Sequence, residues 1–200
     1  MAQGDLIIHI NGWPGVGKLA IARELARLLD ARLLDNHTII NPAEALFERR
    51  DPLYRSLRKA LRMTILAHAA QMKPGVLILT DALSDDAFDS ALFEDYRELA
   101  KNRGARLVAV VLDCAPEINA ERLVAAGRAE RRKLTDPAVL ASLRARHRLL
   151  KAPGLPLVEL DVGALAPAEA AALLARFCRE LLESELQPPE SAPQPGEPRP

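Results

Sequence analysis

Three glycines and a lysine fall within one seven-residue stretch, Gly12-Trp13-Pro14-Gly15-Val16-Gly17-Lys18, and Leu19 follows it. The spacing is GxxxxGK, and each residue type has a chemical reason to be there. Glycines let the backbone wrap an anion without Cβ clashes. Successive N–H groups turned to one side form a nest for negative charge. A helix opening near Lys18 adds the positive end of its dipole. The lysine supplies a mobile point charge for outer phosphates. A plain Gly-Pro turn could also join a strand to a helix, but it would need neither the three glycines nor a lysine in this register. Gly12, Pro14, Gly15, Val16, Gly17, Lys18 and Leu19 are therefore expected to hold a nucleoside triphosphate.

Leu19 breaks the pattern. A hydroxyl at this position usually ligates Mg²⁺, and Ala20 offers none one residue later. Either Mg²⁺ is held through water and carboxylates elsewhere, or catalysis is impaired. Mg²⁺ commonly keeps several waters and leans on one or two carboxylates plus phosphate, which favours the rearranged site.

Two acids stand where such a site needs them. Asp35 ends the apolar run Arg32-Leu33-Leu34, and Asp81 follows Val76-Leu77-Ile78-Leu79-Thr80. In a parallel sheet, ligands bind outside the carboxyl ends of the strands. One acid there can hold magnesium, and a neighbour can accept the proton of an attacking hydroxyl. Asp81 is assigned to the metal and Asp35 to the acceptor, with His37 as a second acceptor contact. The competing reading of each acid is a loop Asp capping a turn. His9, His68 and His147 show no metal-ligand spacing and read as structural.

Residues 121–151 carry nine Lys or Arg against three Asp or Glu, inside a chain whose formal net charge is zero. Such local asymmetry points to an anionic partner. Arg128, Arg131 and Arg132, beside Gly127, are expected to form a lid over a transferring phosphoryl group, where arginines neutralise developing charge. Arg144, Arg146 and Arg148 read as a solvated helix face.

The elements that must position these groups alternate in period. Leu6-Ile7-Ile8-His9-Ile10 is a short, nearly continuous apolar run, as a strand covered on both faces should be. Ile21, Leu25, Leu28 and Leu29 recur at helical spacing. Strands are expected at residues 32–35, 76–80, 107–112 and 157–162. Between them, Asn41-Pro42 suggests a helix start, and Pro52 opens a longer helix toward Met72. Ser84 suggests the cap of a helix over residues 85–102 that Gly104 stops. Pro167 opens the last helix. Strands alternating with helices give an α/β domain, a parallel sheet with helices on both faces.

Composition bounds the rest. The chain has 200 residues, 49% of them hydrophobic and 27% charged, as an ordinary single globular domain has. Residues 1–186 are taken as that domain. Residues 187–200 are mostly Pro, Glu, Ser and Gly, with one alanine as the hydrophobic content, and are expected to be disordered. Cys114 and Cys178 are expected to be buried and reduced. The N-terminus lacks the basic start of a signal peptide, no apolar run could span a bilayer, and no nucleic-acid reader motif accompanies the basic segment. The expectation is a cytoplasmic protein that engages neither membrane nor nucleic acid.

The loop at residues 12–18, the acids Asp35 and Asp81, and the arginine segment 122–133 together resemble the P-loop small-molecule kinases, the shikimate, gluconate, adenylate and antibiotic-phosphorylating group. The resemblance spans roughly residues 5–183. It implies a five-stranded sheet of order 2-3-1-4-5 with an arginine-rich lid after the fourth strand. It implies ATP and Mg²⁺ as cofactors. A small hydroxyl-bearing acceptor would lie near Asp35, His37 and the helix from Pro52, and the base near Gly163, Ala164 and Leu165. The stretch Leu33-Leu34-Asp35-Asn36-His37 with Leu19 is also similar to a bacterial ATPase-like subset of this superfamily. Hydrolysis without an acceptor, or binding without turnover, are the rival activities.

Overall fold

The structure is a computed structural model and describes residues 5–125 and 134–184. Arg128, Arg131, Arg132 and the tail at 187–200 lie outside the described residues. Five strands form one parallel sheet in the order β2-β3-β1-β4-β5: β1 (Leu6–Gly12), β2 (Arg32–Asp35), β3 (Val76–Thr80), β4 (Arg106–Asp113) and β5 (Leu157–Asp161). The helices are α1 (Lys18–Leu29), α2 (His37–Leu46), α3 (Pro52–Ala69), α4 (Ala87–Arg103), α5 (Pro116–Leu123), α6 (Pro137–Arg146) and α7 (Pro167–Ser184). The sheet order and the layered α/β architecture are those the resemblance implied.

Alternation along β1 divides the core. Leu6, Ile8 and Ile10 point to one face, where Ile21, Ala22 and Leu25 of α1 meet Ala170, Ala171, Leu174 and Ala175 of α7. The alanines are small enough to bring the two helices close over the sheet. Ile7 points to the other face, where Leu66 of α3 and Phe93, Tyr96 and Leu99 of α4 pack. With every residue of β1 buried, this strand is the rigid axis of the domain. Each large aliphatic side chain fully buried there stabilises by about 1.5–3 kcal/mol. Because ligands gather at the carboxyl end of such a sheet, the axis delivers residues 12–18 to its working edge.

The local signals were displaced at two helix starts. Asn41-Pro42 does not open α2. The helix begins at His37, five residues before Pro42, because the amides of Ile39 and Ile40 both bond the Asn36 carbonyl, at 3.0 Å each. Pro42 then sits inside the helix, at the cost of one hydrogen bond. Ser84 does not cap α4 either. Asp86 does, accepting from the Asp89 amide at 2.9 Å, while Ser84 forms an antiparallel bridge with Leu149. Gly104 ends α4 in the left-handed conformation, as expected. Cys114 and Cys178 are free and buried, and burial pushes the Cys178 thiol up to about 11. Among the described residues, no helix is long and apolar enough to cross a membrane.

Candidate functional site

The turn between β1 and α1 is held open from several directions. Asn11, 1% exposed, accepts from the Gly12 amide at 2.9 Å and the Leu83 amide at 2.8 Å. Its amide group donates to the carbonyls of Leu83 and Leu150. One side chain thus joins the stem of the loop to the segments after β3 and after α6. Behind the loop, α5 takes its carbonyls. Asn119 Nδ2 donates to Pro14 O at 2.8 Å, and Arg122 Nη1 to Val16 O at 3.3 Å. Among the described residues, the amides of Gly15 and Gly17 bond no backbone carbonyl. Carbonyls held from α5 and amides without acceptors are what an anion nest requires.

The glycines are required by geometry. Gly15 has φ +92°, and a Cβ there would sit 2.8 Å from Asn119 Nδ2. A Cβ at Gly12 would sit 2.5 Å from the Leu112 carbonyl oxygen. Gly15→Ala is therefore expected to displace the loop or break the Asn119 bond, costing about 1–3 kcal/mol from backbone strain. Thermal melting reads this directly. An unchanged melting temperature would show that the loop adapts freely. Lys18 Nζ folds back over the loop, bonding Gly12 O at 2.6 Å and Trp13 O at 3.0 Å.

In front of the loop lies a cavity of about 640 Å³ whose lining includes Gly15, Gly17, Lys18, Leu19, Asp35, His37, Thr80 and Asp81. Of the residues singled out from the sequence, these come together at one place. Pro14 also lines it, whereas Gly12 and Val16 are buried in the stem. Asp35 is half-buried; its Oδ1 accepts from Thr80 Oγ1 at 3.1 Å. His37 Nδ1 lies 3.2 Å from Asn41 Oδ1, one turn along its own helix. Leu19 is half-buried on the cavity wall and belongs to no core cluster.

Asp81 is 3% exposed. Its Oδ2 accepts from the Tyr96 hydroxyl at 2.5 Å and lies 3.3 Å from His9 Nε2. Burial pushes this carboxyl up, but the bond and charge of His9, then Arg62 and Tyr96, outweigh it and hold the group below its ordinary value. Burial, and then the Asp81 charge, push the Tyr96 phenol well above its ordinary value, so it remains a donor. Arg62 in turn bonds Asp95 at 2.8 Å and the Tyr96 hydroxyl at 2.8 Å.

His9 is buried, as a structural histidine should be, and its partner is Asp81, an acid that lines the cavity. One reading of the sequence needs correction. Arg144 is not on a solvated face. Its guanidinium bonds Asp113 at 2.8 Å, Asn119 Oδ1 at 3.1 Å and the Cys114 carbonyl at 3.1 Å. It also lies 5.6 Å over the Trp13 ring. Arg144 therefore braces Asn119, which braces the loop. Arg146 and Arg148 are exposed. A second cavity, about 530 Å³, lies beyond Trp13 and is lined by Arg144, Asp113 and Lys151 among others.

Sequence reasoning missed Asn11, Asn119, Tyr96 and Arg62. A buried Asn within an apolar strand was a usable signal, since a buried amide must find partners. The others meet partners far away in sequence, which periodicity does not register.

The chain superimposes on solved kinase structures at low identity, which shows a shared fold. A candidate kinase from Chloroflexus aurantiacus J-10-fl aligns with TM-score 0.68 and 19% identity, over 92% of this chain and 99% of that one. A gluconokinase from Sinorhizobium meliloti 1021 aligns with TM-score 0.58 and 16% identity, over 91% and 98%. A shikimate kinase from Bacteroides thetaiotaomicron aligns with TM-score 0.55 and 21% identity, over 89% and 98%. No curated protein matches the chain. The AAA domain model matches residues 8–137, from β1 through the loop, both strand-end acids and α5, and the chain belongs to that family.

Proposed function

We propose that the chain is an ATP-dependent phosphotransferase that moves the γ-phosphoryl group of ATP to a small hydroxyl-bearing acceptor. The observation that carries this reading is the shared cavity: the phosphate loop with Lys18 opens onto the same space as Asp35 and Asp81. Lys18 and the amides of Gly15 and Gly17 would neutralise the outer phosphates. The base would lie near Gly163, Ala164 and Leu165, where Arg122 bonds the carbonyls of Val162 and Gly163 at 3.0 and 2.9 Å. Asp35 would take the acceptor's hydroxyl proton as its oxygen bonds to the γ-phosphorus. The bond to the β-phosphate oxygen breaks and ADP leaves. His37 would contact the acceptor, and Arg128, Arg131 and Arg132 would close over the phosphates.

The donor set fits magnesium in one particular way. Among the described residues no group of three or more His, Cys, Asp or Glu could cage a metal. Three carboxylates, Asp35, Asp81 and Asp89, and the Thr80 hydroxyl nevertheless line the cavity in front of the loop. That suits an ion held mainly by phosphate and water. Bound there, it would offset negative charge on the phosphates, and Asp81 would orient its water.

Leu19 bears on the rival reading of a binder without turnover. With the metal served by Asp81, Leu19→Thr should shift the Mg²⁺ requirement by less than about threefold. Because Leu19 is half-buried outside the core, the change should cost under about 1 kcal/mol of stability. Activity that appears only in Leu19→Thr would favour the binder. The test of the function itself is a screen of hydroxyl acceptors with ATP and Mg²⁺, read as ADP formed against an acceptor-free control. ADP formation that requires one acceptor supports the phosphotransferase. Equal ADP formation without any acceptor would make the chain an ATPase.

A further inference from the structure

Asp81 is held by one oxygen. The Tyr96 hydroxyl and His9 Nε2 both meet Oδ2, and no bond among the described residues falls on Oδ1, while the residue lines the phosphate cavity. The supports are themselves fixed. The His9 ring is edge-on to Phe93 and tilted against Tyr96, with centroids 5.1 Å away in each case. Arg62 lies over the Tyr96 ring at 4.3 Å and donates to its hydroxyl. Arg62 is anchored in turn by Asp95 and by the Leu92 carbonyl at 2.6 Å. The phenol therefore accepts one bond from Arg62 and has one proton to give, which goes to Asp81.

A salt link serving the core alone would be expected to use both carboxylate oxygens, since a buried oxygen without a partner costs free energy. Here one oxygen takes every support and the other takes none among the described residues, in a side chain that lines the cavity. We propose that His9 and Tyr96, with Arg62 behind them, are positioning residues that lock Asp81 so that Oδ1 is presented to the hydrated metal of a bound metal–triphosphate. The lock joins β1, the residue that follows β3, and α4, with α3 contributing through Arg62. It would offer the hydrated metal a fixed oxygen in a site where Leu19 supplies no hydroxyl. Groups that orient a metal's ligands typically alter metal affinity about 10–100-fold when removed.

This inference rests on the triphosphate site proposed above, so the test separates binding of nucleotide from binding of metal. The probes are a non-hydrolysable ATP analogue, titrated by calorimetry in excess chelator, and Mn²⁺, titrated by electron paramagnetic resonance into the analogue-loaded protein. Tyr96→Phe should leave metal-free analogue affinity within about twofold and weaken Mn²⁺ about tenfold or more. His9→Leu should do the same. His9→Gln, whose Nε2 can still reach Oδ2, should recover most of the loss. In an Asp81→Ala background, Tyr96→Phe should weaken Mn²⁺ no further, because coupled residues are not additive. Because Tyr96→Phe leaves a buried Arg62 bond unmade, melting curves are taken for every variant and the His9 pair carries the result if Tyr96→Phe unfolds. Lowered melting with unchanged Mn²⁺ affinity in the His9 variants would make the network purely structural and overturn the proposal. A wild type that binds no analogue would overturn the triphosphate reading, and this inference with it.

Discussion

Lys18→Ala is expected to weaken ATP binding at least about 100-fold while leaving the fold intact. A unit charge 4 Å from a phosphate oxygen is worth about 4 kcal/mol at an effective dielectric of 20, roughly a thousandfold before salt screening. The half-buried mouth of the loop loses part of that to solvent. Without phosphate, the ammonium lies on the carbonyls of Gly12 and Trp13. Binding would offer the ammonium an anionic acceptor beside or in place of these neutral carbonyls. The same bonds make a small stability loss expected, about 1 kcal/mol, so melting is checked before titration. Calorimetry with ATP gives the answer. An affinity within threefold of wild type would remove residues 12–18 from the nucleotide site.

Asp35→Asn should abolish most transfer and spare binding. Asparagine keeps the oxygen that accepts from Thr80 Oγ1 at 3.1 Å, so the end of β2 should hold its shape. On the proposed mechanism the change would remove the base for the acceptor proton, which general-base catalysis values at about 10²–10⁴ in rate. ATP affinity should change by less than threefold. Asp81→Asn should behave differently, raising the Mg²⁺ concentration needed for turnover. It also places an amide against Tyr96 and His9, and it removes the charge that Arg62 feels from that site. Asp81→Asn should therefore melt earlier, whereas Asp35→Asn should not. If Asp35→Asn moves the Mg²⁺ requirement and Asp81→Asn removes the rate, the two roles are exchanged. If both retain full rate, neither acid takes part.

The strands were legible because each is a run of contiguous residues with one burial pattern. β1 through β5 lie where their apolar runs lie, and β1 exceeds its run by Asn11 and Gly12 because both continue the ladder to Val111 and Leu112. The loop was legible because its chemistry is also contiguous. Helix starts were less so. Ser84 and Asn41-Pro42 carry correct local signals, but backbone bonds from Asn36 and the capping carboxylate of Asp86 begin the helices elsewhere. The supporting network was illegible for a different reason. His9 and Asp81 are 72 positions apart, as are Asn11 and Leu83, and Arg144 meets Asp113 across 31. Those contacts exist only once the sheet order has placed β3 beside β1 and α6 against the β4 end.

The measurement closest to the central claim is hydrogen exchange with and without a non-hydrolysable ATP analogue and Mg²⁺. Slower exchange is predicted across residues 12–20, at residues 80–82 beside the proposed metal position, and at residues 162–165 where the base would lie. The second cavity beside Arg144 and Lys151 should show little change. Protection centred on that second cavity, or no protection at residues 12–20, would contradict the account.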